Sequence, residues 1–202
     1  MKIVIVDYGM GNIKSLSGAL AFLEAKDVSV SNQHSDILSA DKLILPGVGS
    51  FSKAMVNIKN LKLDECLKQA ITIKKTPILG ICLGMQLMCE SSQEDGTTDG
   101  LGFISGKVEQ FTNQNIKIPH VGFNQVKFED SSLYQGIANM SDFYFTHSYK
   151  MMSQVNNKLA FCEYGSEFIA SYEKENIVGV QFHPELSQTN GLKLMANFLK
   201  NF

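Results

Sequence analysis

Cys82 lies in Pro77-Ile78-Leu79-Gly80-Ile81-Cys82-Leu83-Gly84-Met85-Gln86, with a glycine two positions away on each side. An apolar run leads into it, and Leu83, Leu87 and Met88 follow at helical spacing. A strand that turns sharply into a helix at a nucleophile with small neighbours leaves that side chain exposed above the sheet edge. The helix start would aim free N–H groups and partial positive charge at the sulfur, favouring the nucleophilic thiolate. The competing reading is a buried apolar cysteine. A cysteine that attacks an acyl group needs a base, and a third group to orient that base. His183 ends the strand-like run Val178-Gly179-Val180-Gln181-Phe182, and Pro184 biases it towards an extended backbone. Glu185, two residues on, falls on the same side of an extended segment and can orient the imidazole. The alternative is a strand-end histidine with a backbone hydrogen bond. His34, in a polar stretch, reads as a surface residue. Pro46-Gly47-Val48-Gly49 could turn backbone N–H groups towards a bound oxygen, as an oxyanion hole requires, or form a plain turn.

These residues converge only if a fold delivers them to one place. Lys2 to Asp7, Lys42 to Leu45 and the Pro77 run read as parallel strands buried on both faces. Val28 to Val30 reads as a further short strand. Helical spacing spans Ile13 to Lys26, Ser52 to Asn60 and Leu63 to Lys74. Alternating strands and helices predict a doubly wound, largely parallel sheet, whose C-terminal edge is the usual ligand side. Asp7-Tyr8-Gly9-Met10-Gly11-Asn12 falls at that edge but lacks the third glycine of a dinucleotide fingerprint. Strands are expected at Phe103 to Phe111, Lys117 to Val121, Asn124 to Phe128, Phe143 to Thr146, Lys158 to Tyr164, Phe168 to Tyr172 and Ile177 to Phe182. A helix from Gln188 to Leu199 follows. No linker or repeat interrupts residues 1–202, so one domain is expected.

Net charge of −2 offers no footprint for nucleic acid or an anionic membrane. All eighteen basic residues are lysines, so anion recognition must use Lys, backbone N–H groups or neutral donors rather than an arginine fork. The four cysteines make no CxxC pair and no zinc spacing, so no metal is expected. Free cysteines, the absence of a leader-like segment and of any long apolar run predict a soluble cytoplasmic protein.

Pro46-Gly47-Val48-Gly49, Gly80 to Gln86 and Gln181-Phe182-His183-Pro184-Glu185 together resemble the signature blocks of class I (triad-type) glutamine amidotransferases. Asp7 to Asn12, Pro119-His120-Val121-Gly122-Phe123-Asn124, Tyr144-Phe145-Thr146-His147-Ser148-Tyr149 and Gly191 to Phe198 are similar to the glutaminase subunits of imidazole glycerol phosphate synthase. The resemblance implies a three-layer α/β fold with a nucleophile elbow and no cofactor. It implies that Cys82 forms a thioester with glutamine, His183 moves the proton to ammonia and Glu185 orients His183. Gly47, Val48 and Leu83 would form the oxyanion-hole region. Gly49, Gln86, Glu94, His147, Ser148 and Tyr149 would line the glutamine pocket. His120, Phe123, Asn124 and Asn12 would face a (β/α)8-barrel cyclase subunit in a heterodimer. That partner would use the ammonia in forming imidazole glycerol phosphate and AICAR during histidine synthesis.

Two positions depart from that family's usual pattern. Phe123 stands where Trp is common, and Leu186 where a Lys commonly reaches the partner. Both bear on the partner rather than on the glutaminase chemistry. A paralogous subunit feeding ammonia into amidino-sugar synthesis is therefore the alternative. A silent interaction subunit and a stand-alone cysteine hydrolase are more distant ones.

Overall fold

Apolar residues in the first strand alternate between the two faces of a sheet: Val4 and Val6 join one core, Ile3 and Ile5 the other. A strand buried on both faces must have helices on both, and the computed structural model, which describes residues 1–113, 115–153 and 158–202, has that arrangement. In chain order the elements are β1 (Lys2–Val6), α1 (Ile13–Phe22), β2 (Asp27–Ser31), α2 (His34–Leu38), β3 (Lys42–Leu45), α3 (Phe51–Asn60) and α4 (Leu63–Lys68). Then come β4 (Ile78–Ile81), α5 (Leu83–Leu87), β5 (Cys89–Ser92), β6 (Thr98–Asp99), β7 (Ile104–Gln110) and β8 (His120–Phe128). The chain continues through β9 (Ser141–His147), β10 (Tyr149–Met152), β11 (Lys158–Glu163), β12 (Glu167–Lys174), β13 (Ile177–Val180) and α6 (Gln188–Asn201).

The central sheet has the order β2-β1-β3-β4-β13-β12-β11-β8-β9. It is parallel from β2 to β13 and antiparallel beyond. Phe51, Met55, Ile58, Leu63 and Leu67 from α3 and α4 pack one face. Leu16 and Leu20 of α1, with Leu194, Met195 and Phe198 of α6, pack the other. Each such buried side chain is worth roughly 1.5–3 kcal/mol of transfer free energy. A second sheet, β10-β7-β5-β6, covers part of the α3 face through Ile104, Val108 and Met151.

Several expected boundaries move for identifiable reasons. The runs on either side of Gly122 are one strand, because Gly122 adopts φ +133° and the pairing with β9 continues unbroken from His120–His147 to Val126–Ser141. The helix expected over Leu63 to Lys74 widens into a π turn at Gln69–Ile73, where Lys74 N–H donates to the Gln69 carbonyl and Asn176 takes the Ile71 carbonyl. The run from Phe103 belongs to the second sheet rather than the central one. His34 is exposed as expected, but it opens the short helix α2 and bonds the Leu61 carbonyl at 3.1 Å. Among the described residues, no helix is long and apolar enough to cross a membrane.

Candidate active site

β4 and β13 are neighbours in parallel register, with Val180 opposite Ile81, so both chains leave the sheet at the same level. Cys82 follows directly on β4, its N–H donating to the Val180 carbonyl at 2.8 Å. Three residues beyond Val180 comes His183. The sheet register thus brings together two residues far apart in the chain.

Cys82 is in a strained conformation, φ 52° and ψ −110°, immediately before α5. A non-glycine residue held there is costly and needs over-determined surroundings. The flanking glycines supply them. A Cβ on Gly84 would lie 1.8 Å from the Leu45 carbonyl oxygen, and one on Gly80 would lie 2.8 Å from the Met85 amide nitrogen. The elbow can therefore press against the end of β3 only without those side chains. Gly47 meets the same elbow from the other side: a Cβ there would stand 2.8 Å from Leu83 Cβ and 2.9 Å from the Gly84 nitrogen. The Pro46–Gly49 loop is fixed at its start by Tyr8, whose hydroxyl donates to the Pro46 carbonyl at 2.6 Å. Burial first, then the proximity of Cys82, drive the Tyr8 phenol far above its ordinary range, so it stays a neutral donor. Val48 is exposed at the rim and Gly49 has φ +101°.

His183 Nδ1 and Glu185 Oε1 are 2.8 Å apart, both side chains being only 3% exposed. Burial on its own would lower the imidazole. The adjoining Cys82 sulfur and the hydrogen-bonded Glu185 carboxylate outweigh it and raise His183 to about 10. Nε2 completes no hydrogen bond of normal geometry, and the Cys82 sulfur is the neighbouring group that acts on it. An unpaired buried ring nitrogen beside a nucleophile is free to take part in proton transfer. The segment is held from β9: His183 N–H donates to the Tyr144 carbonyl at 2.8 Å, and Ser187 Oγ bridges the His183 carbonyl and the Tyr144 N–H.

The other residues singled out from the sequence fall in two groups. Glu94 accepts from the Phe51 N–H at 2.9 Å, at the start of α3. Its carboxyl is raised by burial, partly offset by that N–H and reinforced by Asp95. Burial, then Glu94 and Asp95, raise the Tyr149 phenol, which places these groups in one neighbourhood. Ser148 is half-buried, its carbonyl accepting from the Phe111 N–H. Asn12 caps α1 through the Ser15 N–H at 3.4 Å. Phe123 is 49% exposed, edge-on to Tyr144.

Gln86, His147 and His120 are more deeply placed. Gln86 is buried and donates to the Tyr149 carbonyl and to Gln181 Oε1. His147 is buried between the Tyr149 carbonyl and His120, and His120 is itself only 3% exposed, stacked on Tyr164 and Phe145. Gln181 Nε2 reaches the sulfur of Cys82 at 3.6 Å, and the Thr146 carbonyl lies 3.7 Å from it. No feature of the sequence assigns a role to Gln181, Thr146 or Tyr8. Gln181 follows β13 as a polar residue between Val180 and Phe182, and its full burial appears only in the folded structure. A hollow of about 1060 Å³ lined by Lys158, Tyr134 and Glu173 lies towards the opposite sheet edge and contains none of these groups.

The family model for glutamine amidotransferase class-I matches residues 4–202. Imidazole glycerol phosphate synthase subunit HisH 1 of Campylobacter jejuni (strain RM1221) is 46% identical over 200 residues, covering 98% of this chain and 99% of the relative. Subunit HisH 2 of Vibrio vulnificus (strain YJ016) is 47% identical over 201 residues, covering 98% and 94%. Among solved structures, a glutamine amidotransferase superposes with a TM-score of 0.76 at 16% identity over 97% of this chain and 96% of its own. PurLQS from Thermotoga maritima gives 0.74 at 17% over 98% and 97%; at such identities both speak for the fold alone. A strained cysteine at a strand-to-helix elbow, a His–Glu pair on the neighbouring strand and full-length identity above 45% have one common meaning: the chain belongs to the class I glutamine amidotransferases and, within them, to the HisH family.

Proposed function

We propose that this chain is the glutaminase subunit of an imidazole glycerol phosphate synthase, a single domain working in the cytoplasm. The observation that carries the reading is the delivery of Cys82 and the His183–Glu185 pair to one sheet edge by the register of β4 and β13. Cys82 attacks the side-chain amide carbon of glutamine, forming a C–S bond. The carbonyl oxygen becomes an oxyanion facing the N–H groups of Gly47, Val48 and Leu83, where such donors stabilise it most. The C–N bond then breaks, and protonated His183 supplies the proton that lets ammonia leave, with Glu185 holding the ring. Water attacks the thioester with His183 as base, giving glutamate and free Cys82. Gly49, Gln86, Glu94, His147, Ser148 and Tyr149 shape the glutamine pocket, some directly and some through others.

The ammonia needs an acceptor, and we assign that role to a (β/α)8-barrel cyclase subunit. Its docking face would be the edge carrying Asn12, Asn124 and Phe123; His120, expected there from the sequence, is buried behind it. Exposed Val121, Phe123 and Leu186 supply apolar surface there, and Phe123 shares a small hollow with Ser187, which follows the His183 segment. The test is glutamate release from glutamine by the purified subunit, alone and with the same organism's cyclase and its nucleotide substrate, with Cys82→Ser as blank. Strong stimulation by that pair supports the reading. A paralogous acceptor is the second reading, favoured by Phe123 and Leu186 and by relatives whose names carry copy numbers. It would be indicated by no stimulation while Cys82 still reacts with a glutamine-like electrophile.

A further inference from the structure

The donors and acceptors around His120 and His147 form a chain whose direction is fixed from both ends. At the outer end, Asn124 Nδ2 bonds the Glu163 carbonyl at 2.9 Å, and a carbonyl only accepts, so that atom is the amide nitrogen. Its second hydrogen points to His120 Nε2 at 3.4 Å, which must therefore be unprotonated. The proton of neutral His120 is then on Nδ1, 3.0 Å from His147 Nε2. At the inner end, His147 Nδ1 is 2.7 Å from the Tyr149 carbonyl, which again only accepts. His147 thus carries its proton on Nδ1 and accepts on Nε2, the tautomer that the outer end also requires. Burial lowers His120 to about 4 and His147 to about 3, keeping both rings neutral over the working pH range.

The same Tyr149 carbonyl accepts from Gln86 Nε2 at 3.0 Å. Gln86 Nε2 also donates to Gln181 Oε1 at 2.9 Å, which turns the Gln181 amide so that its Nε2 faces Cys82 Sγ at 3.6 Å. The outer end of this run is Asn124, one residue from exposed Phe123 on β8.

We propose that His120 and His147 are a positioning pair: through this directed chain they hold the Gln181 N–H on the Cys82 sulfur and tie the nucleophile to the β8 edge. An N–H aimed at sulfur favours thiolate over thiol. The proposal rests on the glutaminase reading for its consequence in turnover, but its effect on Cys82 is measurable without glutamine.

The experiment is the pH dependence of Cys82 alkylation by iodoacetamide in the full-length subunit, with Cys82→Ser as background. The other buried cysteines interfere little: burial, with the Glu90 charge, pushes the Cys89 thiol to about 12; burial, against the opposing Glu163 backbone hydrogen bond, pushes Cys162 to about 12; and burial raises Cys66 as well. The titratable neighbours of the sulfur, His183 and Glu185 beyond β13 and Tyr8 beyond β1, are the same in every variant. His120→Leu removes the ring donor and is expected to move the alkylation midpoint up by roughly one unit. It should also lower glutamine turnover in the complex about tenfold, with KM little changed. His120→Asn keeps a donor at the δ position and should restore most of both. Asn124→Leu, at a half-buried site, should shift the midpoint the same way by roughly half a unit and keeps the test open if His120→Leu does not fold.

An unchanged midpoint in folded His120→Leu, or in Asn124→Leu where that variant replaces it, overturns the proposal. So does a His120→Asn variant as impaired as His120→Leu. If wild type releases no glutamate with any acceptor, the glutaminase reading fails while the alkylation midpoints still decide the positioning role.

Discussion

His183 feels opposing influences, and their balance sets a pH window. Burial disfavours its charge, while the Cys82 sulfur and the Glu185 carboxylate favour it strongly enough to raise it from 6.5 to about 10. A group raised on folding stabilises the fold fully below its unfolded value and loses that contribution as pH climbs through its folded one. Glu185→Gln removes the charge but leaves an acceptor for Nδ1. It should cost about 2 kcal/mol of stability near pH 6 and progressively less towards pH 10. Urea unfolding of both proteins across that range measures this; a constant difference would contradict it. The residue types in this pair were legible in the sequence, but not the geometry: the carboxylate reaches Nδ1 through the 3-10 turn Pro184–Leu186 rather than along the extended segment expected. Gln181 was not legible, because burial of a polar side chain shows only once β12 and β4 close over β13.

Elements make the strained cysteine affordable by bringing backbones closer than side chains allow. Gly84→Ala would drive a Cβ to within 1.8 Å of the Leu45 carbonyl. Since that neighbour is backbone, β3 or the elbow must shift, at a cost of about 3 kcal/mol in stability. Thermal unfolding should show the loss, and Cys82 alkylation should slow as φ 52° relaxes. Glu94 performs a gentler task, accepting the Phe51 N–H where Ser50 caps α3. Glu94→Ala should lower stability by about 1 kcal/mol, readable in the same melts, and weaken glutamine binding if the pocket assignment holds.

The alternating strands and helices of residues 2–81 were readable because period and length agree there. The second sheet was less so. β5, β6 and β10 run for two to four residues and follow tertiary pairing rather than any local pattern. Gly122 likewise looked like a break because a positive φ is usually a turn, whereas β9 carries the ladder straight past it.

On the scale of the whole molecule, the parallel strands deliver the reacting groups to an edge that the chain itself leaves partly uncovered. Val121 is 57%, Phe123 49%, Val48 41% and Leu186 38% exposed. Scattered apolar residues at a surface need no explanation, but Val48 follows Gly47, which packs on the Cys82 elbow, and Leu186 follows the His183–Glu185 pair. Phe123 is the best candidate anchor, since aromatic residues dominate binding energy when a partner buries them, and Tyr144 already braces its ring. Tyr144 also holds His183 through its carbonyl, so a partner pressing on Phe123 presses on the strand that positions the base. Phe123→Ala should therefore weaken binding of the cyclase subunit by about thirtyfold, equivalent to about 2 kcal/mol. It should leave iodoacetamide alkylation of Cys82 in the isolated subunit unchanged, because Phe123 touches none of the groups around the sulfur. Titrating labelled subunit with the cyclase measures the first effect. An affinity equal to wild type would move the docking face away from the β8 edge, towards the Val48 side of the same opening.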